Sequence, residues 1–157
     1  MDIHQSRTYV DIGSNHPINH SITYSLYRLG WCGLTIDGSD YAKLFAKYRP
    51  KDIFINKVVG EEDNIEVAFY THCGGINLIN QKDTPTNPQS YTKGTIKQIN
   101  INKELDRRGL THIDFMNIDV EGAELEILKS FDFNTYNPSI IAVEIHGNNI
   151  SVPAQPL

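Results

Sequence analysis

Two stretches of this chain read as buried strands that stop on acidic residues at a glycine turn. Near the N-terminus, Thr8-Tyr9-Val10-Asp11-Ile12-Gly13-Ser14 is one. Far downstream, Ile113-Asp114-Phe115-Met116-Asn117-Ile118-Asp119-Val120-Glu121-Gly122 is the other. A helical pattern follows each. Strands alternating with helices predict an α/β fold with a mostly parallel sheet. In such open sheets ligands bind beyond the carboxyl ends of strands. The acids and glycines therefore fall where a nucleotide-like cofactor would be held.

The pattern continues along the chain. Ile22, Leu26 and Leu29, with Tyr24 and Tyr27 between them, recur at helical spacing; Ser21 is placed to cap that helix and Gly30 to end it. Gly33 to Ile36 is a second strand ending on Asp37-Gly38, and a helix carrying Tyr41, Leu44, Phe45 and Tyr48 stops near Pro50. Ile53 to Val59 reads as one third strand ending on Gly60. Ile65 to Tyr70 alternates like a half-exposed strand, with Ile76 to Ile79 as a partner. Gln81 to Lys93 is polar and reads as a surface loop, Thr95 to Ile101 as a strand and Lys103 to Arg108 as a short helix. Ala123 to Leu128 fits a helix, and Ser139 to His146 is the last strong strand, buried, which makes Glu144 within it a group that should be paired or functional.

A chain of 157 residues is expected to form one domain, with a core over about residues 8–146 and a tail at 147–157. The net charge of −5 lends no support to nucleic acid or an anionic membrane as partner. Lys43, Lys47, Arg49 and Lys51 read as a solvated helix face. Cys32 and Cys73 make neither a disulfide framework nor a metal motif, and no apolar run or leader pattern directs the chain to a membrane. A cytoplasmic location is the default expectation.

Gly13 followed by Asp37 has the spacing of a tight turn and a ribose-binding carboxylate. The dinucleotide fingerprint is missing: its later glycine positions hold Asn15 and Ile18, so a pyrophosphate would lack its close backbone approach. This lowers NAD or FAD and points to a cofactor with adenosine but no phosphates, S-adenosylmethionine.

Four stretches then resemble the FkbM-type methyltransferases: VDIGSNHP at 10–17, running on through Ser21, Thr23 and Tyr24 to Gly30-Trp31, then IDG at 36–38, NIDVEGAELEIL at 117–128 and AVEIH at 142–146. The resemblance implies a Rossmann-like methyltransferase fold with helices on both faces of the sheet. It implies S-adenosylmethionine as cofactor and O-methylation of a sugar or small natural-product hydroxyl. By that resemblance Asp11, Gly13 and Ser14 line the methionine side, Asp37 holds the ribose, and Asp119 and Glu121 lie near the methionine group or the acceptor. Asn15 and Gly38 complete the expected cofactor-binding set with these. Glu121, Glu144 and His146 are the expected catalytic residues, able to receive the acceptor proton, and His16 and Glu124 are further candidates.

Each has a structural alternative. Glu121 and Glu124 sit at a helix start, where the dipole alone favours acids, and His16 could simply brace its loop. Asp119, Glu144 and His146 could instead form a small metal site, although no metal is assigned. The family's seven-stranded sheet ends in a hairpin, for which eleven residues after His146 leave little chain. The expectation is a sheet short of that hairpin, by truncation or as a minimal member. The short stretch before Thr8 likewise leaves no helix to cover the cofactor. A non-catalytic cofactor-binding or scaffold domain and a nucleotide-dependent oxidoreductase are the alternatives.

Overall fold

The computed structural model describes residues 7–72, 77–78 and 91–145. In chain order the elements are β1 (Thr8–Ile12), α1 (Tyr24–Arg28), β2 (Cys32–Asp37), α2 (Ala42–Tyr48), β3 (Ile53–Asn56), β4 (Val58–Val59), β5 (Ile65–His72), β6 (Asn77–Leu78), β7 (Tyr91–Ile99), α3 (Ile101–Arg108), β8 (Phe115–Ile118), α4 (Glu124–Ser130) and β9 (Ile140–Val143). Among these residues no helix is long and apolar enough to cross a membrane.

Five strands form a parallel sheet in the order β3-β2-β1-β8-β9. The chain lays β2 and β3 to one side of β1, and then returns to lay β8 and β9 on the other. That reversal is a topological switch point, and it leaves a crevice beyond the carboxyl ends of β1 and β8. This is the Rossmann-like α/β architecture expected from the sequence.

Side chains alternate across a strand, and the two faces of the central strands differ in kind. Val10, Ile12, Leu34, Ile36, Met116 and Ile118 join Ile101 and Leu105 of α3, Ile127 of α4 and Phe131 in a buried apolar core. Burying each such side chain stabilises by about 1.5–3 kcal/mol. Tyr9 and Asp11 belong to the opposite set on β1, and with Thr35 and Asn117 they are just as buried.

That second face is held by an ion pair. Arg49 and Asp52 are 0% exposed at their side chains and meet at 2.6 Å. Asp52 also accepts from the Tyr9 hydroxyl and the Gly33 amide. Arg49 donates to Tyr9, Thr23 and Ser21, and its guanidinium lies near the rings of Tyr9, Tyr27 and Phe45. Burial this complete is tolerated because every group of the pair is bonded. The expectation of a solvated face is corrected here for Arg49: Phe45 and Arg49 are four residues apart and so share the buried side of α2. Burial also pushes the Tyr9 hydroxyl well above the usual tyrosine range.

Other expectations shift as well. The single third strand divides: the Lys57 amide bonds back to the Ile55 carbonyl, and the chain leaves the parallel sheet. Val58 and Val59 then pair with β7 in a second sheet, ordered β4-β7-β5-β6. The polar stretch expected as loop contributes residues 91–93 to β7. Helix α1 is only five residues long and contains no buried residue, and Leu29, expected on its apolar side, is 77% exposed. Ser21 accepts from Arg49 instead of capping α1. Helix α3 begins two residues early because the Asn100 side chain accepts from the Lys103 amide and caps it. Strand β9 stops at Val143, so Glu144 is not in a buried strand; it lies beyond the strand end and is exposed.

Removing one partner of a fully buried pair leaves the other charge uncompensated. Arg49→Met is expected to cost about 3–5 kcal/mol of stability, read from denaturant unfolding. The double change Arg49→Met with Asp52→Leu should recover only part of this, since Tyr9 and Gly33 lose their acceptor.

Candidate functional site

The first wall of the crevice is the turn after β1. Gly13 has φ +80°, and its amide and that of Ser14 both donate to the Ile36 carbonyl at 2.8 and 3.1 Å. A Cβ at Gly13 would fall 1.6 Å from the Asp119 carbonyl oxygen. The glycine is thus demanded by the neighbouring β8 turn as well as by its backbone angle, and not only by approach of a ligand. Asn15 is also left-handed, with φ 51°.

Asp37 at the end of β2 ties this turn down. Its carboxylate accepts from the Asn15 amide at 2.8 Å and the Ser39 amide at 2.7 Å. Burial raises its pKa, and these amide bonds oppose that rise. Gly38 lies against the Phe69 ring of β5, which a Cβ would approach to 2.3 Å. His16 does not line the crevice. Its Nδ1 accepts from the Ile18 and Asn19 amides and so braces the loop, the structural alternative for this residue.

The second wall is the turn after β8. The Asp119 amide donates to the Ile12 carbonyl. Glu121 has φ 57° and Gly122 φ 116°, and α4 starts only at Glu124. The helix-start explanation for Glu121 therefore fails, because it precedes the helix in a left-handed turn. For Glu124 a structural role holds: its carboxylate accepts from the Val120 and Gly122 amides and closes the turn.

Carboxylate oxygens of Asp119, Glu121 and Glu144 lie within 4.8 Å of one another. Burial, then a hydrogen bond with Glu144 and its charge, then the charges of Glu121 and Glu124 push the Asp119 pKa up to about 7. The alternative metal set thus meets only in part, as Asp119 and Glu144 with Glu121. His146 lies outside the described residues.

Between the walls is a cleft open to solvent, with about 150 Å³ of accessible space inside it. Asp11, Gly13, Ser14, Asn15, Asp37, Gly38, Asp119 and Glu121 line it, eight of the expected site residues; Glu144 does not. Four of the eight are acids, against one lysine, Lys57. The second sheet adds Val58, Val59 and Phe69, and Asn117 lies beside Asp11 at the floor. Asn117 and Phe69 were not expected here. Asn117 was legible in the two-residue step from Asp119, which puts both on one strand face. Phe69 had no local signal, since a separate sheet delivers it.

The donor set fits a cation rather than phosphates. One observation marks room for a polar ligand: the Ser14 Oγ is buried, the residue being 3% exposed, and has no hydrogen-bond partner among the described residues. Buried polar atoms are rarely left so.

The parallel sheet with an acidic ligand cleft at its switch point defines an α/β protein of the Rossmann-like type. The chain belongs to the FkbM methyltransferase domain family, whose model matches residues 11–153. That family implies a methyl donor. No curated protein and no solved structure matches the chain significantly.

A carboxyl whose pKa is raised by folding stabilises the protein fully below its unfolded value, near 4, and loses that contribution as pH rises through the folded value. For Asp119 the window is about pH 4 to 7. Wild-type stability is expected to fall across it relative to Asp119→Asn. Parallel unfolding curves at each pH check this, and identical pH slopes would refute it.

Proposed function

We propose that the protein is an S-adenosylmethionine-dependent methyltransferase acting on a hydroxyl of a sugar or other small molecule. One observation carries the choice of donor: the cleft of a methyltransferase-family chain is lined by four carboxylates and a single lysine. Negative walls favour a cation bearing adenosine and oppose a pyrophosphate. The oxidoreductase reading is disfavoured by the same charge.

In this reading Asp37, next to Gly38, receives the ribose hydroxyls with the lone pairs its two amide bonds leave. Asp11, Gly13, Ser14 and Asn15 form the methionine side, where the unpartnered Ser14 Oγ gains a bond. Asp119 meets the methionine ammonium, and a positive charge there relieves the repulsion among Asp119, Glu121 and Glu144. The bound donor supplies an electrophilic methyl group on a sulfonium. Glu121, held in the turn at the cleft wall, accepts the acceptor's proton, with Glu144 beside it.

S-adenosylmethionine or its demethylated product should raise the melting temperature by roughly 5–11 °C at a hundred times its dissociation constant. NAD should leave it unchanged, and the reverse pattern would overturn the reading. Glu121→Gln should spare donor affinity in calorimetry and slow transfer to a verified acceptor by about 10²–10⁴-fold. Unchanged turnover would remove Glu121 from the chemistry.

A further inference from the structure

A chain of buried hydrogen bonds runs from Arg49, outside the cleft, to Asp11 at its floor. Arg49 Nη2 donates to Thr23 Oγ1 at 2.9 Å. Thr23 Oγ1 donates to Asp11 Oδ2, and Asn117 Nδ2 donates to Asp11 Oδ1 at 2.9 Å. Thr23 is 0% exposed and does not itself line the cleft.

The direction of this relay is fixed. Guanidinium has donors and no acceptor, so the Thr23 oxygen must accept from Arg49. The single hydroxyl proton is then left to point at Asp11. Asp11 thus receives a donor at each oxygen, an arrangement that suits a carboxylate and not a carboxylic acid. We propose that Thr23, oriented by the buried Arg49, is a positioning residue that holds Asp11 as an anion at the floor of the cleft, ready for the positive end of the donor. The link to the donor rests on the function proposed above.

The electrostatic setting makes such a device necessary. Burial pushes the Asp11 carboxyl upward, and Asp37 on β2 adds to this; Thr23, Asn117 and the Arg49 charge oppose it. Asp119 and Glu121 after β8 line the same cleft with Lys57, and Asp52 and Tyr9 bind the guanidinium that orients Thr23. Burial above all, with the Asp37 charge, favours a neutral Asp11, and the Thr23 hydroxyl is the first of the groups that oppose it.

The test compares wild type, Thr23→Val and Thr23→Ser. The Asp11 carboxyl carbon is titrated by NMR, and S-adenosylmethionine affinity is measured by calorimetry from acid to mildly alkaline pH. Thr23→Val should raise the Asp11 midpoint by about one pH unit or more. Affinity should then fall about tenfold for each pH unit below that midpoint and return to within about twofold of wild type above it. Thr23→Ser, which keeps the hydroxyl, should follow wild type in both. Thr23→Ala serves the same comparison if valine is not accommodated.

An unmoved Asp11 midpoint in Thr23→Val overturns the proposal. So does an affinity loss that is equal at all pH values, because lost packing alone would give it. If the midpoint moves but no form binds the ligand at any pH, the relay stands and the methyl-donor reading falls.

Discussion

The buried Arg49–Asp52 pair is the constraint from which the ligand side of this fold follows. One guanidinium, at the end of α2, reaches the loop before α1, the hydroxyl on β1 and the threonine that contacts Asp11. Its carboxylate partner reaches β1 and β2. A sheet face that would ordinarily be apolar is replaced by polar groups whose demands must all be met together. Such a face is unforgiving of partial satisfaction, and it fixes the position of β1's last residues before any ligand arrives.

The cleft inherits that order. The turns after β1 and β8 lock into each other, with Gly13 under the Asp119 carbonyl and the Asp119 amide on Ile12. Asp37 clamps the first turn and Glu124 the second. The remaining acids at the mouth are therefore held close together against their mutual repulsion, an arrangement that selects for positive charge. Preorganised carboxylates of this sort spare the ligand the cost of arranging them.

Much of this was legible in the sequence, for definable reasons. Strands that end on Asp11, Asp37 and Asp119 carry their own period and stop signals, so the parallel sheet and the acids at its edge could be read locally. Arg49 could not be read from charge alone; only its four-residue step from Phe45 marks it as inward-facing. The division of the third strand at Lys57 depends on pairing with β7, some forty residues away, which no local pattern encodes. For Glu144 the apolar run suggests a longer buried strand, whereas β9 ends at Val143 and the Glu144 amide makes a bond to the last residue of β8, Ile118. For His146, and for Cys73, the question lies outside the described residues.

Glu121 occupies a left-handed backbone conformation that costs a side-chain-bearing residue about 1–2 kcal/mol relative to its usual regions. Glycine would adopt the same turn without that cost. A Glu121→Gly substitution would therefore relieve the turn and remove an acid from the mouth of the cleft in one step.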